Sequence, residues 1–181
     1  MPNEVLRMTE QDAVRDDRVR CWGGPDDPLM MRYHDQEWGV PLHDDRALFE
    51  FLLLDGFQAG LSWRTILHKR AAFRKGFARF SPRRVAAFTE RDIRRLLGDA
   101  GIVRHRGKIE ATIENARRLL GISKAHGGFA HYLGSLPGDL EELRGIFRKE
   151  FRFMGPKIAE SYFESVGKIP TVHDRRCWKA K

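Results

Sequence analysis

No long apolar run occurs in this chain. The longest, Leu48 to Leu54, is interrupted by Glu50 and falls well short of the roughly 20 residues that a membrane span needs. The N-terminus carries Glu4, Glu10 and Asp12 and no apolar stretch, which argues against a secretory signal and for a cytoplasmic protein. Only 2 cysteines occur among 181 residues, too few for a disulfide scaffold; in a reducing compartment they are expected to be free or metal-bound. Strand-like alternation, internal repeats and low-complexity tracts are missing as well, which leaves helices as the building material.

What is present is a hydrophobic fraction of 41%, enough for the core of one domain or of two small lobes. The formal charge of +8 favours polyanionic partners, because each phosphate neutralised by Lys or Arg releases condensed counterions. Charge alone does not separate nucleic-acid binders from other basic proteins. Residues 1–19 are polar and aperiodic and read as a flexible leader, with the folded domain over 20–181.

Helix signals then follow one another. Asp44 and Asp45 can cap a helix through Leu48, Phe49, Leu52 and Leu53, and Ser62 can cap one carrying Trp63, Ile66 and Leu67. Ser81-Pro82 reads as an N-cap followed by a first-turn proline, and Thr89 with Asp92 as a capping box. Longer helices are expected over 107–120, 139–150 and 156–166, punctuated by Gly98, Gly101, Gly121 and Gly155.

Three groups of residues carry chemistry. The first is a pair of glycine-marked turns. Phe153-Met154-Gly155-Pro156-Lys157 stands between two helical patterns, where Gly155 admits close backbone approach and the free N–H groups after Pro156 favour an anion. Gly101 through Ile109 sets Arg104, His105, Arg106 and Lys108 beside two glycines. Alone, each turn fits an ordinary helical corner or a solvated basic loop; two in one basic helical chain favour DNA.

The second group is Cys21, His34, His173 and Cys177. His173 and Cys177 are four residues apart, the spacing that shares one face of a helix. Two thiolates and two imidazoles suit a closed tetrahedral Zn²⁺ site, but a buried histidine with unrelated free cysteines, or a Cys21–Cys177 disulfide, satisfies the spacing too. The third group surrounds the apolar helix. Asp55 stands at its mouth, Tyr33, Trp38 and Trp63 could cage a flat heterocycle or pack in the core, and Leu61 on the turn Gly60-Leu61-Ser62 could fill the gap left by a flipped nucleotide.

In this order, Arg20-Cys21-Trp22, Tyr33 through Pro41, Gln58 through Trp63, Gly101 through Ile109, and the closing His173 and Cys177 resemble the 3-methyladenine DNA glycosylase I family. The resemblance covers about residues 20 to 177. It implies an all-α, helix-hairpin-helix glycosylase fold with a structural Zn²⁺ held by Cys21, His34, His173 and Cys177, joining the N- and C-terminal segments. It implies excision of alkylated purines, 3-methyladenine first, from double-stranded DNA by a monomer that flips the base. Tyr33 and Trp63 would then stack on the base and Trp38 border it. Asp55 would accept a hydrogen bond from it, with Leu61, Gly155 and Lys157 on the DNA.

The chain departs from the family pattern at three places: Asp55 stands where glutamate is usual, Phe57 where glutamine is frequent, and Met30 where an aromatic is common. Two other functions compete. Lys157 followed by Asp174 has the spacing of glycosylases that also cut the strand, and a non-catalytic zinc-stapled module could bind DNA by shape alone.

Overall fold

The computed structural model describes residues 17–180, so most of the leader expected over 1–19 lies outside the described residues. Every regular element among the described residues is a helix, and no strand occurs among them. They fall into two compact units: one combines the N-terminal segment up to Trp38 with the C-terminal segment from Val172, and the other runs from Gly39 to Thr171.

The first unit contains one helix, α1 (Pro28–Gln36), started by Asp27, whose carboxylate accepts from the Met30 N–H at 3.2 Å. The second contains α2 (Asp45–Gln58), α3 (Trp63–His68), α4 (Arg70–Gly76), α5 (Pro82–Ala86), α6 (Glu90–Leu97), α7 (Arg106–His126), α8 (Phe129–Ser135), α9 (Leu140–Glu150) and α10 (Pro156–Ser165). The cap residues explain most starts. Asp44, Ser62 and Ser81 each accept from a backbone N–H three residues on, and Thr89 forms the capping box with Asp92. Asp45 has a different role from the one its neighbour shares: it accepts from Ser123 Oγ and from the Phe129 and Ala130 N–H groups, tying the end of α7 and the start of α8 to α2.

Helix α7 is the long member of this unit and packs against α2, α5, α6 and α8, while α10 packs against α2 and α9. Gly121, expected to end a helix, lies inside α7; the left-handed exit is made by Gly127, with φ 75°. The buried faces of α7 outweigh the local cost of that glycine. Between α4 and α5 the chain makes a left-handed turn at Ala78, Arg79 and Phe80, with φ of 51°, 57° and 59° and no glycine. Phe80 is fully buried there, so burial of its ring opposes the steric strain.

Candidate active site

The apolar run of α2 is buried on every side from Leu48 to Leu54, as in a helix that passes through the middle of its unit. Asp55 is carried inward with it and has 0% exposure. The expected helix mouth is therefore not there: α2 continues through Phe57 and Gln58 because these residues still have a core to pack into. Ser161 on α10 donates to Asp55 Oδ1 at 2.8 Å. Asp55 Oδ2 is buried and has no hydrogen-bond partner among the described residues. Burial pushes the Asp55 carboxyl up to about 8, opposed by the Ser161 hydrogen bond and aided by the charge of Glu164. The neighbouring Tyr162 hydroxyl is also buried without a partner among the described residues, and its ionisation is held back by burial and by the Asp55 charge.

Phe57 stays in the core: its ring centroid lies 4.8 Å from that of Phe73 and 5.7 Å from that of Phe77. Beyond it the chain turns sharply. Ala59 (φ −47°, ψ 113°) and Gly60 (φ 79°) have type II geometry, and the Leu61 N–H reaches the Gln58 carbonyl at 2.6 Å. The positive φ suits glycine at that position. Leu61 then projects with 40% exposure, and Trp63 opens α3 half-buried, its ring stacked 6.4 Å from Phe51 at an interplanar angle of 18°.

The two glycine-marked turns lie near each other, with His105 and Phe153 edge to face at 6.1 Å. Arg104 and His105 are exposed. Arg106 is also exposed but pairs with Glu90 at 2.7 Å and Glu110 at 3.1 Å. Lys108 departs from a solvated loop altogether: it is buried, and its ammonium donates to the Phe57 and Ala59 carbonyls. In the second turn the positive φ falls on Phe153, at 57°, and Gly155 is the extended N-cap of α10, followed by Pro156 and the exposed Lys157. Asn115 holds this turn from α7, accepting from the Arg152 N–H at 2.8 Å and donating to the Arg152 carbonyl at 2.9 Å. Arg118, Arg148 and Arg152 border an open depression beside it.

In the first unit, Cys21, His34, His173 and Cys177 bring one ligand atom each within 4.8 Å of one another, so these four could hold a metal ion. Cys21 Sγ lies 3.3 Å from His173 Nδ1, and Cys177 Sγ lies 3.4 Å from His34 Nε2 and 3.6 Å from His173 Nδ1. The other nitrogen of His34, Nδ1, sits 2.8 Å from Asp35, which Arg20 grips through two nitrogens and Trp178 reaches at 3.2 Å. His173 and Cys177 are not on a helix. The Asp174 carboxylate accepts from the Arg176 N–H, and the Cys177 N–H returns to the Asp174 carbonyl, a local turn that competes with helix formation. Trp38 packs around this cluster, 5.8 Å from His34 and 5.0 Å from His173, while the buried Tyr33 is stacked on Trp22 at 5.6 Å. Met30 is buried in α1.

Ser161, Lys108 and Asn115 escape a reading of the sequence alone. Ser161 sits in an amphipathic helix without a local mark. Lys108 looks like one more charge of a basic tract, although it falls within α7 next to Ile109, where a helix face turns inward.

The profile of the methyladenine glycosylase family matches residues 22–144. DNA-3-methyladenine glycosylase 1 of Escherichia coli (strain K12) is 39% identical over 170 residues, covering 83% of this chain and 91% of the relative. A crystal structure of 3-methyladenine DNA glycosylase I superposes with a TM-score of 0.80 at 38% identity, covering 90% of this chain and 100% of its own. A tyrosine-to-phenylalanine variant of 3-methyladenine DNA glycosylase I in complex with 3-methyladenine superposes with a TM-score of 0.76 at 34% identity, covering 86% of this chain and 94% of its own.

Proposed function

This chain belongs to the methyladenine glycosylase family, and from that premise we propose that it excises 3-methyladenine from DNA by hydrolysing the N-glycosidic bond of the flipped nucleotide. The observation that carries the reading is Asp55, fully buried with one oxygen held by Ser161 and the other bare. A phosphate binder has no use for such a group. A base that is cationic through methylation at N3 does.

With the carboxyl pushed up to about 8, Asp55 is mostly protonated at pH 7, and ionising it there costs only about 1.4 kcal/mol. A cationic base returns that and more by pairing with the buried charge, whereas neutral adenine leaves the charge unpaired. Asp55 therefore selects the cation. Methylation already weakens the glycosidic bond, so little acid catalysis is needed, and water captures the sugar. Tyr33, Trp38 and Trp63 are proposed as base-binding aromatics, and Leu61 as the wedge into the vacated stack. Gly155 and Lys157 are the proposed phosphate contacts at the start of α10, within a helix-hairpin-helix domain over 20–181.

Cys21, His34, His173 and Cys177 are proposed as the ligands of one Zn²⁺. Their sulfur–nitrogen separations of 3.3, 3.4 and 3.6 Å approach the spacing of about 3.6 Å between such ligands on one tetrahedral ion. Asp35 on the far nitrogen of His34 is the customary orienting partner of a metal-bound imidazole. Four protein ligands leave no position for a reactive water, so the ion would act as a staple.

Chromatography of bases released from alkylated duplex DNA tests the function. We expect 3-methyladenine in excess of 3-methylguanine and 7-methylguanine, and none of it from Asp55→Asn. Salt-sensitive DNA binding without released base would instead make the chain a non-catalytic module. Covalent trapping by borohydride, lost in Lys157→Ala, would add lyase chemistry.

A further inference from the structure

The turn that carries Leu61 is held from beneath by a buried cation. Lys108 is 6% exposed, and its Nζ lies 2.8 Å from the Phe57 carbonyl and 2.5 Å from the Ala59 carbonyl. Among the described residues no carboxylate pairs with it, and burial alone pulls its ammonium below the usual lysine range. Burying an ammonium on neutral partners is unfavourable, so the contact is informative about what it fixes.

Phe57 offers one of the last carbonyls of α2, which have no partner within the helix. Ala59 offers the carbonyl of the central peptide of the type II turn. Types I and II differ by a flip of that peptide, so an ammonium on the Ala59 oxygen holds the turn in type II and fixes where Leu61 points. A second lysine closes the tie in the other direction. Lys69, just after α3, donates to the Ala100 and Gly101 carbonyls at 3.2 and 3.3 Å. The stretch that bears the wedge is thus pinned twice through ammonium–carbonyl bonds, to the first turn of α7 by Lys108 and to the loop before α7 by Lys69.

We propose that Lys108 is a positioning residue for base flipping, locking the Gln58–Leu61 turn so that Leu61 enters the DNA stack in a fixed direction. The inference rests on the glycosylase reading above. It adds that the direction of the wedge is set from the start of α7 by a side chain that does not itself meet the base.

The test combines single-turnover excision of 3-methyladenine with the fluorescence of 2-aminopurine placed opposite the lesion, which reports entry of the wedge. Lys108→Met is expected to slow both by between about tenfold and a hundredfold, the scale of a misplaced group remote from the chemistry. Its affinity for undamaged duplex should stay as in the wild type. Lys108→Arg, which keeps a cationic donor, should recover part of the rate. Because Lys108 acts through Leu61, the double variant Leu61→Ala/Lys108→Met should be no slower than Leu61→Ala alone, to within about twofold. Losses that multiply in the double variant overturn the proposal, as does a Lys108→Met enzyme of full rate. If neither Lys108 variant folds, the lysine belongs to stability and the proposal also fails. A wild-type enzyme that releases no base refutes the parent reading, and a fully active Leu61→Ala refutes the wedge; either result is distinct from failure of the lysine tie.

Discussion

Asp55 is held at a cost to the fold, and the sign of that cost is measurable. Its folded-state carboxyl is raised from 3.8 to about 8, so over that range the folded protein binds a proton that the unfolded chain has released. The contribution of this group to stability is therefore fullest below pH 3.8 and is lost as pH rises through about 8. Asparagine keeps the shape and still accepts from Ser161, but carries no charge to bury. Asp55→Asn should therefore melt close to the wild type at pH 4 and progressively above it toward pH 8, where the gain reaches the order of 5 kcal/mol. Equal melting temperatures across that range would refute the buried-acid account. Activity should run the other way. Log kcat/KM for 3-methyladenine, which reports groups of the free enzyme, should rise with pH, bend near pH 8 and level off above it, and Ser161→Ala, which removes the bond favouring ionisation, should move the bend to higher pH. An acid at position 55 can be read from the sequence as the chemically odd residue of an apolar helix. Its protonation and its Ser161 partner cannot, because they come from the packing of α10 on α2, more than a hundred residues apart in the chain.

Helix α7 organises the elements around that acid. Lys108 and Asn115 are seven residues apart, nearly two turns, so they share one face; one holds the Leu61 turn and the other the turn before α10. Gly121 in the same helix holds nothing: beyond the backbone of α7 itself, no atom lies within 4 Å of where a Cβ would stand. Replacing it by alanine removes backbone freedom from the unfolded chain and should raise stability by about 0.5–1 kcal/mol. Chemical denaturation should show this with an unchanged dependence on denaturant and unchanged excision. Gly127→Ala, forced into φ 75°, should destabilise instead. The contrast explains which element boundaries are legible in sequence. Asp44, Ser62, Ser81 and Thr89 mark helix starts because a cap is a local bond, made with the residues just ahead. Gly121 is as poor a helix former as Gly127, and the packing of α7 against α2, α5 and α8 carries the helix past it to the Gly127-Gly128 pair.

At the scale of the molecule, the first unit joins N- and C-terminal segments of the chain and has, among its described residues, one helix. Direct bonds between these segments include the Trp178 N–H to the Val19 carbonyl, Lys179 to the His34 carbonyl and Trp178 to Asp35. So small a unit is the kind that depends on a staple, and the four Cys and His donors come from both of its segments. The spacing of His173 and Cys177 reads as helical and the residues form a turn instead, yet the four donors that the family resemblance groups together still lie within 4.8 Å of one another. Zn²⁺ bound here would contribute to folding directly, since ligands from both segments must be assembled before they can share one ion. The purified protein should then contain close to one equivalent of zinc, and Cys177→Ser should retain much less. Stripping the metal with a strong chelator at pH 7 should lower the melting temperature by several degrees, and added zinc should restore it. The loss should be greatest for probes in the first unit: hydrogen exchange should quicken at residues 21–38 and 172–178 while the amides of α7 remain protected. Protein that holds no zinc and melts identically with and without chelator would remove the staple from this account and leave Cys21 and Cys177 as ordinary thiols.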